Sequence, residues 1–252
     1  MDKLFENRKA LVIGGTGGIG REVALGLAAL GADLVVHGGS SKEKLEEVIT
    51  SARDLGTTAD GFLRQIKSSA DAEFMFRGYS GTYTLGRHRG HPDILVCAFG
   101  PFVRRSLGRM DGQTWRDMTD LNLNFPGICI SACLPHMKEK NWGRILLFGG
   151  TNTDTIRGFK TTAAYSAAKT ALGVLVKSAA LEGGPMGVTC NLLCPGLTDT
   201  ENTPAKLAAY NRRKSPPGGV LTAPEVAQAA LDILSNPIYN GAIISADRGL
   251  LL

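Results

Sequence analysis

The chain has 252 residues, 43% hydrophobic and 20% charged, an ordinary globular balance that excludes disorder and is long enough to bury a core without disulfides. No run of 18 apolar residues occurs, so no membrane partner is expected. The formal charge of +5 is scattered rather than massed, which argues against nucleic acid and for a solvated surface or attraction to a phosphate-bearing cofactor.

The opening MDKLFENRKA has no apolar run of signal-peptide length, and a cytoplasmic location is expected. Residues 9–13 form an apolar strand, followed by a glycine-rich turn and a helix over 20–30 with Val23, Leu25, Leu27 and Leu30 at helical spacing. A second strand covers 33–37, and a helix over 42–55 carries Leu45, Val48, Ile49 and Ala52. Further strands are predicted at 61–66, 93–98, 144–148, 188–194 and 242–245, with helices near 70–85, 112–139, 162–182 and 224–235. Gly78, Gly81 and Gly86 weaken the segment 70–90, since each costs up to ~1 kcal/mol inside a helix. The polar, Pro/Gly-rich stretch 198–218 reads as a mobile lid over a site. Strands alternating with helices predict a single α/β domain over 1–252: three layers, with a doubly wound parallel sheet between helices.

The turn Gly14-Gly15-Thr16-Gly17-Gly18-Ile19-Gly20 lies where the first strand becomes the first helix. Glycines there let a pyrophosphate approach the backbone, and the helix N-terminus offers it unpaired N–H groups. Nucleotide binding is the reading. The end of the second strand, His37-Gly38-Gly39-Ser40-Ser41-Lys42, lacks the acid that would hold a ribose 2′-hydroxyl. With His37, Gly39, Ser40 and Ser41 as candidate cofactor residues, it favours NADP(H) over NAD(H).

The five cysteines (Cys97, Cys129, Cys133, Cys190, Cys194) form no C-x-x-C pair and read as core filler, with no metal site expected. His88 and His91, lacking a third ligand, read as surface residues. Phe99, Phe102, Phe159 and Tyr210 are candidates for an apolar pocket, each equally readable as packing. Arg104-Arg105 and Arg212-Arg213-Lys214 read first as solubilising surface, secondly as an attractor for a phosphopantetheine or CoA-bearing substrate.

Tyr165 and Lys169 stand i,i+4, on one face of the helix over 162–182. A phenol with pKa near ~10 is a poor acid/base at neutral pH. A neighbouring ammonium and an oxidised nicotinamide would stabilise phenolate and lower that value.

With these motifs in place the chain resembles the short-chain dehydrogenase/reductase family, most nearly its 3-oxoacyl-(acyl-carrier-protein) reductases, over nearly its whole length. The resemblance rests on Gly14-x-x-x-Gly18-Ile19-Gly20, Asp93-Ile94-Leu95-Val96, Trp115 through Asn122, Leu134-Pro135-His136-Met137, Gly143-Arg144-Ile145, Tyr165-x-x-x-Lys169, Asn191 with Pro195-Gly196, and Asp247-Arg248-Gly249. It implies a Rossmann-like seven-stranded sheet in a homotetramer built by the helices near 112–139 and 162–182. It implies hydride exchange between NAD(P)(H) and a ketone, 3-oxoacyl thioester or secondary alcohol, with Tyr165 as acid/base. Lys169 modulates Tyr165 and binds ribose, and Asn122 helps hold a proton-passing water. Gln65 and Ile66 fall at the adenine; Ala98, Phe99 and Gly100 border the cofactor; Pro195, Gly196, Leu197, Thr198 and Thr200 border the nicotinamide. Three departures stand out. The family's substrate-binding serine is Gly150 here, leaving Thr151 first and Thr153 second as substitutes; its N-N-A-G is Cys97-Ala98-Phe99-Gly100; its adenine-side Asp is Gln65. The missing serine motivates an alternative, a catalytically impaired NADP-binding sensor or scaffold.

Overall fold

The computed structural model describes residues 3–77, 84–85, 88–201, 203, 205–214 and 219–250. Seven parallel strands form the central sheet: β1 Lys9–Ile13, β2 Asp33–Gly38, β3 Ala59–Leu63, β4 Ile94–Cys97, β5 Gly143–Phe148, β6 Val188–Pro195 and β7 Ile243–Ala246. Their spatial order is β3-β2-β1-β4-β5-β6-β7, so the order reverses between β1 and β4. At such a switch point the strand ends open a crevice.

Successive side chains on the strands feed opposite layers, which is why the strands read as unbroken apolar runs. Ala10, Val12, Leu34, Val36, Ile94 and Val96 pack on one side, against α1 (Gly18–Ala29), α2 (Lys42–Asp54) and α8 (Ala223–Ser235). Leu11, Ile13, Val35, Leu95 and Cys97 pack on the other, with α3 (Ala70–Arg77), α5 (Phe125–Glu139) and α6 (Ala163–Gly183). All five cysteines are free and buried.

Five expectations change, the first being the helix near 70–85: α3 ends at Arg77, and Thr84–Leu85 is a short strand antiparallel to His88–Arg89. The helix read over 112–139 is α4 (Gly112–Thr119), one π turn (Asp120–Asn124) and then α5. Pro126 has no N–H to return to the carbonyl of Asn122, which favours a wider turn there. β3 starts two residues early and ends at Leu63, leaving Gln65 and Ile66 beyond the strand. The lid segment contains a helix, α7 (Ala205–Lys214), rich in the helix formers Ala, Lys and Arg. His91 is half-buried, its ring stacked on His136 at 5.0 Å. Gly78, Gly81, Gly86 and the side chains of His88, Tyr210 and Lys214 lie outside the described residues.

Among the described residues no helix is long and apolar enough to cross a membrane, and no three His, Cys, Asp or Glu gather as a metal site.

Candidate active site

The turn after β1 is shaped by what glycine alone tolerates. Gly14 has φ +77°, and a Cβ on it would lie 2.8 Å from the Ala98 carbonyl oxygen; one on Gly20 would lie 2.2 Å from the Gly14 oxygen. The turn therefore presses against the end of β4, and α1 packs onto the turn. Helix α1 begins after Gly17 with neither a side-chain cap nor an acid in its first turn. Its leading N–H groups are aimed at an anion. One anion is already there: the Glu201 carboxylate accepts from Gly18 N at 2.8 Å. A carboxylate standing where a phosphate belongs, over a backbone cleared of side chains, is the fit expected of a dinucleotide pyrophosphate site. Thr16, Gly17 and Ile19 complete the turn, all partly exposed.

At the end of β2, Gly39 and Ser40 are exposed, with nothing within 4 Å of a Cβ placed on Gly39. Ser41 is committed locally: its hydroxyl caps α2 by accepting from Lys44 N at 3.2 Å and donates to Glu43. His37 does not face the opening. Its ring is buried behind the turn, hydrogen-bonded to Gly14 and Arg64. Gln65 is exposed and Ile66 half-buried against the core.

The reactive groups gather at the ends of β4 and β5. Lys169 is buried, and its Nζ donates to the Phe148 carbonyl at 2.9 Å. Asn122, within the π turn, is fully buried; its Nδ2 donates to Pro101 O at 3.0 Å, while its Oδ1 has no protein partner. Both converge on Gly100, where a Cβ would meet Asn122 Oδ1 at 2.4 Å and Lys169 Nζ at 2.9 Å. Tyr165 lies one helical turn before Lys169, with the Lys169 Nζ 5.9 Å from its ring centroid. Phe102 closes on the same phenol edge-to-face at 4.9 Å.

Burial governs both titrations. It pushes the Tyr165 phenol up to about 12 and the Lys169 ammonium down to about 8. The tyrosine shift opposes the sequence expectation: loss of hydration disfavours phenolate, the nearby Cys194 acts in the same direction, and the Lys169 ammonium is bonded to Phe148 instead. The positive charge of an oxidised nicotinamide would act in the lowering direction.

The replacement for the missing serine resolves differently from either threonine acting freely. Thr153 is buried and closes its own turn, accepting from Gly150 N at 2.8 Å and donating to Gly150 O at 3.0 Å. Thr151 is half-buried, and its hydroxyl donates to Pro195 O at 3.2 Å. Gly150 underlies the tyrosine: a Cβ there would lie 2.8 Å from both Cε1 and Oη of Tyr165. The phenol thus fills the space that a serine side chain would need.

Pro195 and Gly196 are buried, Leu197, Thr198 and Thr200 half-buried. Thr200 faces Gly18, bringing the start of the lid over the phosphate turn. The ring of Phe99 packs on Phe125 at 5.7 Å, so the backbone at Ala98 and Phe99, rather than that ring, meets the turn. Phe159 lines a groove on the outer side of α6, apart from Tyr165. Arg105 pairs with Asp111 and Arg212 with Asp199, while Arg104 and Arg213 are exposed. Sequence reasoning missed Glu201, Pro101 and Phe148. The last two act through backbone carbonyls, which carry no residue signature; Glu201 stands 183 residues from its partner.

The model of the short chain dehydrogenase family matches residues 8–211. The chain is 31% identical over 199 residues to the peroxisomal multifunctional enzyme type 2 of Drosophila melanogaster, covering 76% of this chain but only 31% of that protein, so it spans about a third of that relative's length. It is 30% identical over 199 residues to a 3-oxoacyl-(acyl-carrier-protein) reductase of Staphylococcus epidermidis, covering 79% of this chain and 78% of that one. Its structure is similar to a crystal structure of a 3-oxoacyl (acyl-carrier-protein) reductase from Agrobacterium tumefaciens C58 with NADP bound, at TM-score 0.84 and 25% identity, covering 97% and 94% of the two chains.

Proposed function

Because the chain belongs to the short chain dehydrogenase family, an oxidoreductase family, we propose that it interconverts a ketone, most specifically a 3-oxoacyl thioester, with the secondary alcohol, using NADP(H) in preference to NAD(H). The observation carrying this reading is the meeting of Asn122 and Lys169 at Gly100, with the Tyr165 ring centroid 5.9 Å from the Lys169 Nζ, beside a glycine turn that already holds a carboxylate. The cofactor preference is supported by the absence of an acid between His37 and Ser41. The acyl preference is supported by the reductases to which the chain is similar.

The chemistry that a bound nicotinamide would bring to these residues is uptake or delivery of the hydride. Gly14 and Gly18 with the leading amides of α1 would cradle the pyrophosphate, and Ala98, Gly100 and Pro195 through Thr200 would border the ring. In the reducing direction the Tyr165 O–H bond breaks as the substrate oxygen gains that proton. A phenol near 12 is fully protonated at neutral pH and ready for this direction. Lys169, as ammonium, steadies the phenolate left behind. Lys169 would return a proton to the phenolate and be reprotonated in turn through a water held by Asn122 Oδ1, whose partner-free oxygen supports that role. The outward face of α6, carrying exposed Val174 and Leu181, supports a homotetramer.

A second reading, a cofactor-binding sensor or scaffold, is favoured by one observation: Gly150 under the phenol leaves no free serine-like hydroxyl beside it. One experiment separates the two. NADPH consumption is followed with a panel of ketones and 3-oxoacyl thioesters, for wild type and Tyr165→Phe. The enzyme reading expects turnover that falls about 10²–10⁴-fold in the variant, with NADPH binding retained. Equal rates remove Tyr165 from the chemistry, and tight binding without turnover of any compound favours the sensor.

A further inference from the structure

His37 looks from the sequence like a residue at the mouth of the cofactor site, yet it is 2% exposed and sits behind the phosphate turn. In the sheet it lies opposite Ile13, the last residue of β1, and opposite Phe62 of β3. Its ring leans on the Phe62 ring at 5.3 Å. Two of the first amides of the turn end on this one residue: Gly15 N donates to the His37 carbonyl at 3.0 Å, and Gly14 N points at the ring Nδ1 at 3.2 Å. On the far side, Nε2 stands 2.8 Å from the Arg64 carbonyl oxygen.

The partners assign the tautomer. A backbone N–H can only donate, so Nδ1 must accept; a carbonyl can only accept, so Nε2 must carry the proton. The imidazole is therefore neutral, and it clamps β1, β2 and β3 at the point where the backbone turns to meet the pyrophosphate. Gly14, at φ +77°, gives its N–H to that acceptor.

We infer that His37 is a positioning residue for the phosphate turn, acting through the Gly14 amide, and that it makes dinucleotide affinity fall in acid. This rests on the cofactor-binding reading above. An imidazolium would set N–H against N–H across 3.2 Å, so either the ring or the Gly14 peptide must swing away and the turn loses its shape. The charged groups facing the ring are the Arg64 guanidinium, which opposes a proton on it, and the Asp71 carboxylate, which favours one; these two pair with each other at 2.6 Å. On the turn side stand glycines and a threonine, with the Glu201 carboxylate beyond them on Gly18 N. Burial outweighs the rest and holds the histidine below its usual value, so the neutral clamp is intact at pH 7.

The test needs the full chain, NADPH and two variants. In His37→Asn the amide oxygen branches from Cγ where Nδ1 does, so it can accept from Gly14 without titrating. In His37→Leu the space stays filled and the acceptor is lost. NADPH dissociation constants are measured by fluorescence titration between pH 5 and 8. Wild type is expected to weaken progressively toward pH 5 relative to His37→Asn at the same pH, with about tenfold as the ceiling, the size expected for one lost buried hydrogen bond. Taking the ratio of the two proteins cancels titration of the cofactor's own phosphates. His37→Leu is expected to bind weakly at every pH. Parallel profiles for wild type and His37→Asn, or tighter wild-type binding in acid, would overturn the inference while leaving the enzyme reading intact. No NADPH binding by wild type at any pH would sink the enzyme reading and this one together. A measurement on the native chain needs no variant: ¹⁵N shifts of the His37 ring should report the neutral Nε2–H tautomer at pH 7, and an imidazolium there would overturn the proposal.

Discussion

Tyr165 and Lys169, the two side chains proposed to carry the chemistry, are each held in a state that burial dictates. Lys169 keeps a charge 4% exposed with one carbonyl for support, and such a charge weakens the fold. Its folded pKa, about 8, lies below the ordinary 10.5. Between those values the unfolded chain binds more protons than the folded one, so wild-type stability rises with pH across that window; below it the full penalty applies. Lys169→Met is therefore expected to be inactive yet more stable than wild type by roughly 2 kcal/mol at pH 7, an advantage that disappears above about pH 10.5. Denaturant titrations of both proteins at pH 7 and pH 10.5 check this, and a variant less stable at pH 7 contradicts it. Gly150 gives the complementary case. Restoring the family's serine there puts a Cβ 2.8 Å from the Tyr165 phenol, and Phe102 already packs on that ring. Gly150→Ser is expected to lower kcat by about 10²-fold through misplacement of the hydroxyl, read from steady-state kinetics; a gain in kcat would mean that the ring is free to move.

At the level of elements, most of the architecture was legible because parallel strands buried on both faces announce themselves as apolar runs. Boundaries slipped where tertiary pairing decided them, as at β3. The break between α4 and α5 was invisible because apolar spacing continues through Asp120–Asn124, although Pro126 marks it in retrospect. Tyr165, Lys169 and the glycine turn were legible because their geometry is local: one helical turn, or one strand-to-helix junction. The inward turn of the His37 ring was not, since Arg64 is 27 residues away. Nor was the contact of the 198–218 segment with the phosphate turn, where Glu201 meets Gly18. That contact has a consequence for the loop as a whole. A carboxylate bound at the amides proposed to receive a pyrophosphate would have to leave, or be repelled, when the dinucleotide arrives. Glu201→Gln is expected to tighten NADPH binding about two- to fivefold, the scale of one exposed charge, and the gain should shrink as salt rises. Unchanged or weaker binding in low salt would remove Glu201 from that role.

For the molecule as a whole, the outer face of α6 is the feature that the single chain leaves unexplained. Tyr165 and Lys169 use the inward side of this helix, while Val174 and Leu181, seven residues apart and so on one outward stripe, are 68% and 81% exposed. Beside them α5 presents Gly127 and Ser131 along a groove shared with Leu175, small residues that let another helix approach closely. Exposed apolar stripes of this kind mark contact surfaces, and a self-complementary helix pair closes under twofold symmetry. The same helix thus carries the reactive phenol on one side and the proposed subunit contact on the other, which ties the alignment of the site to assembly. Sedimentation at micromolar concentration is expected to show an oligomer. The double variant Val174→Glu, Leu181→Glu is expected to sediment as a smaller species, with its circular dichroism unchanged and its turnover reduced because α6 has lost its outer support. A wild-type monomer, or a variant that assembles as well as wild type, would remove this face from the contact.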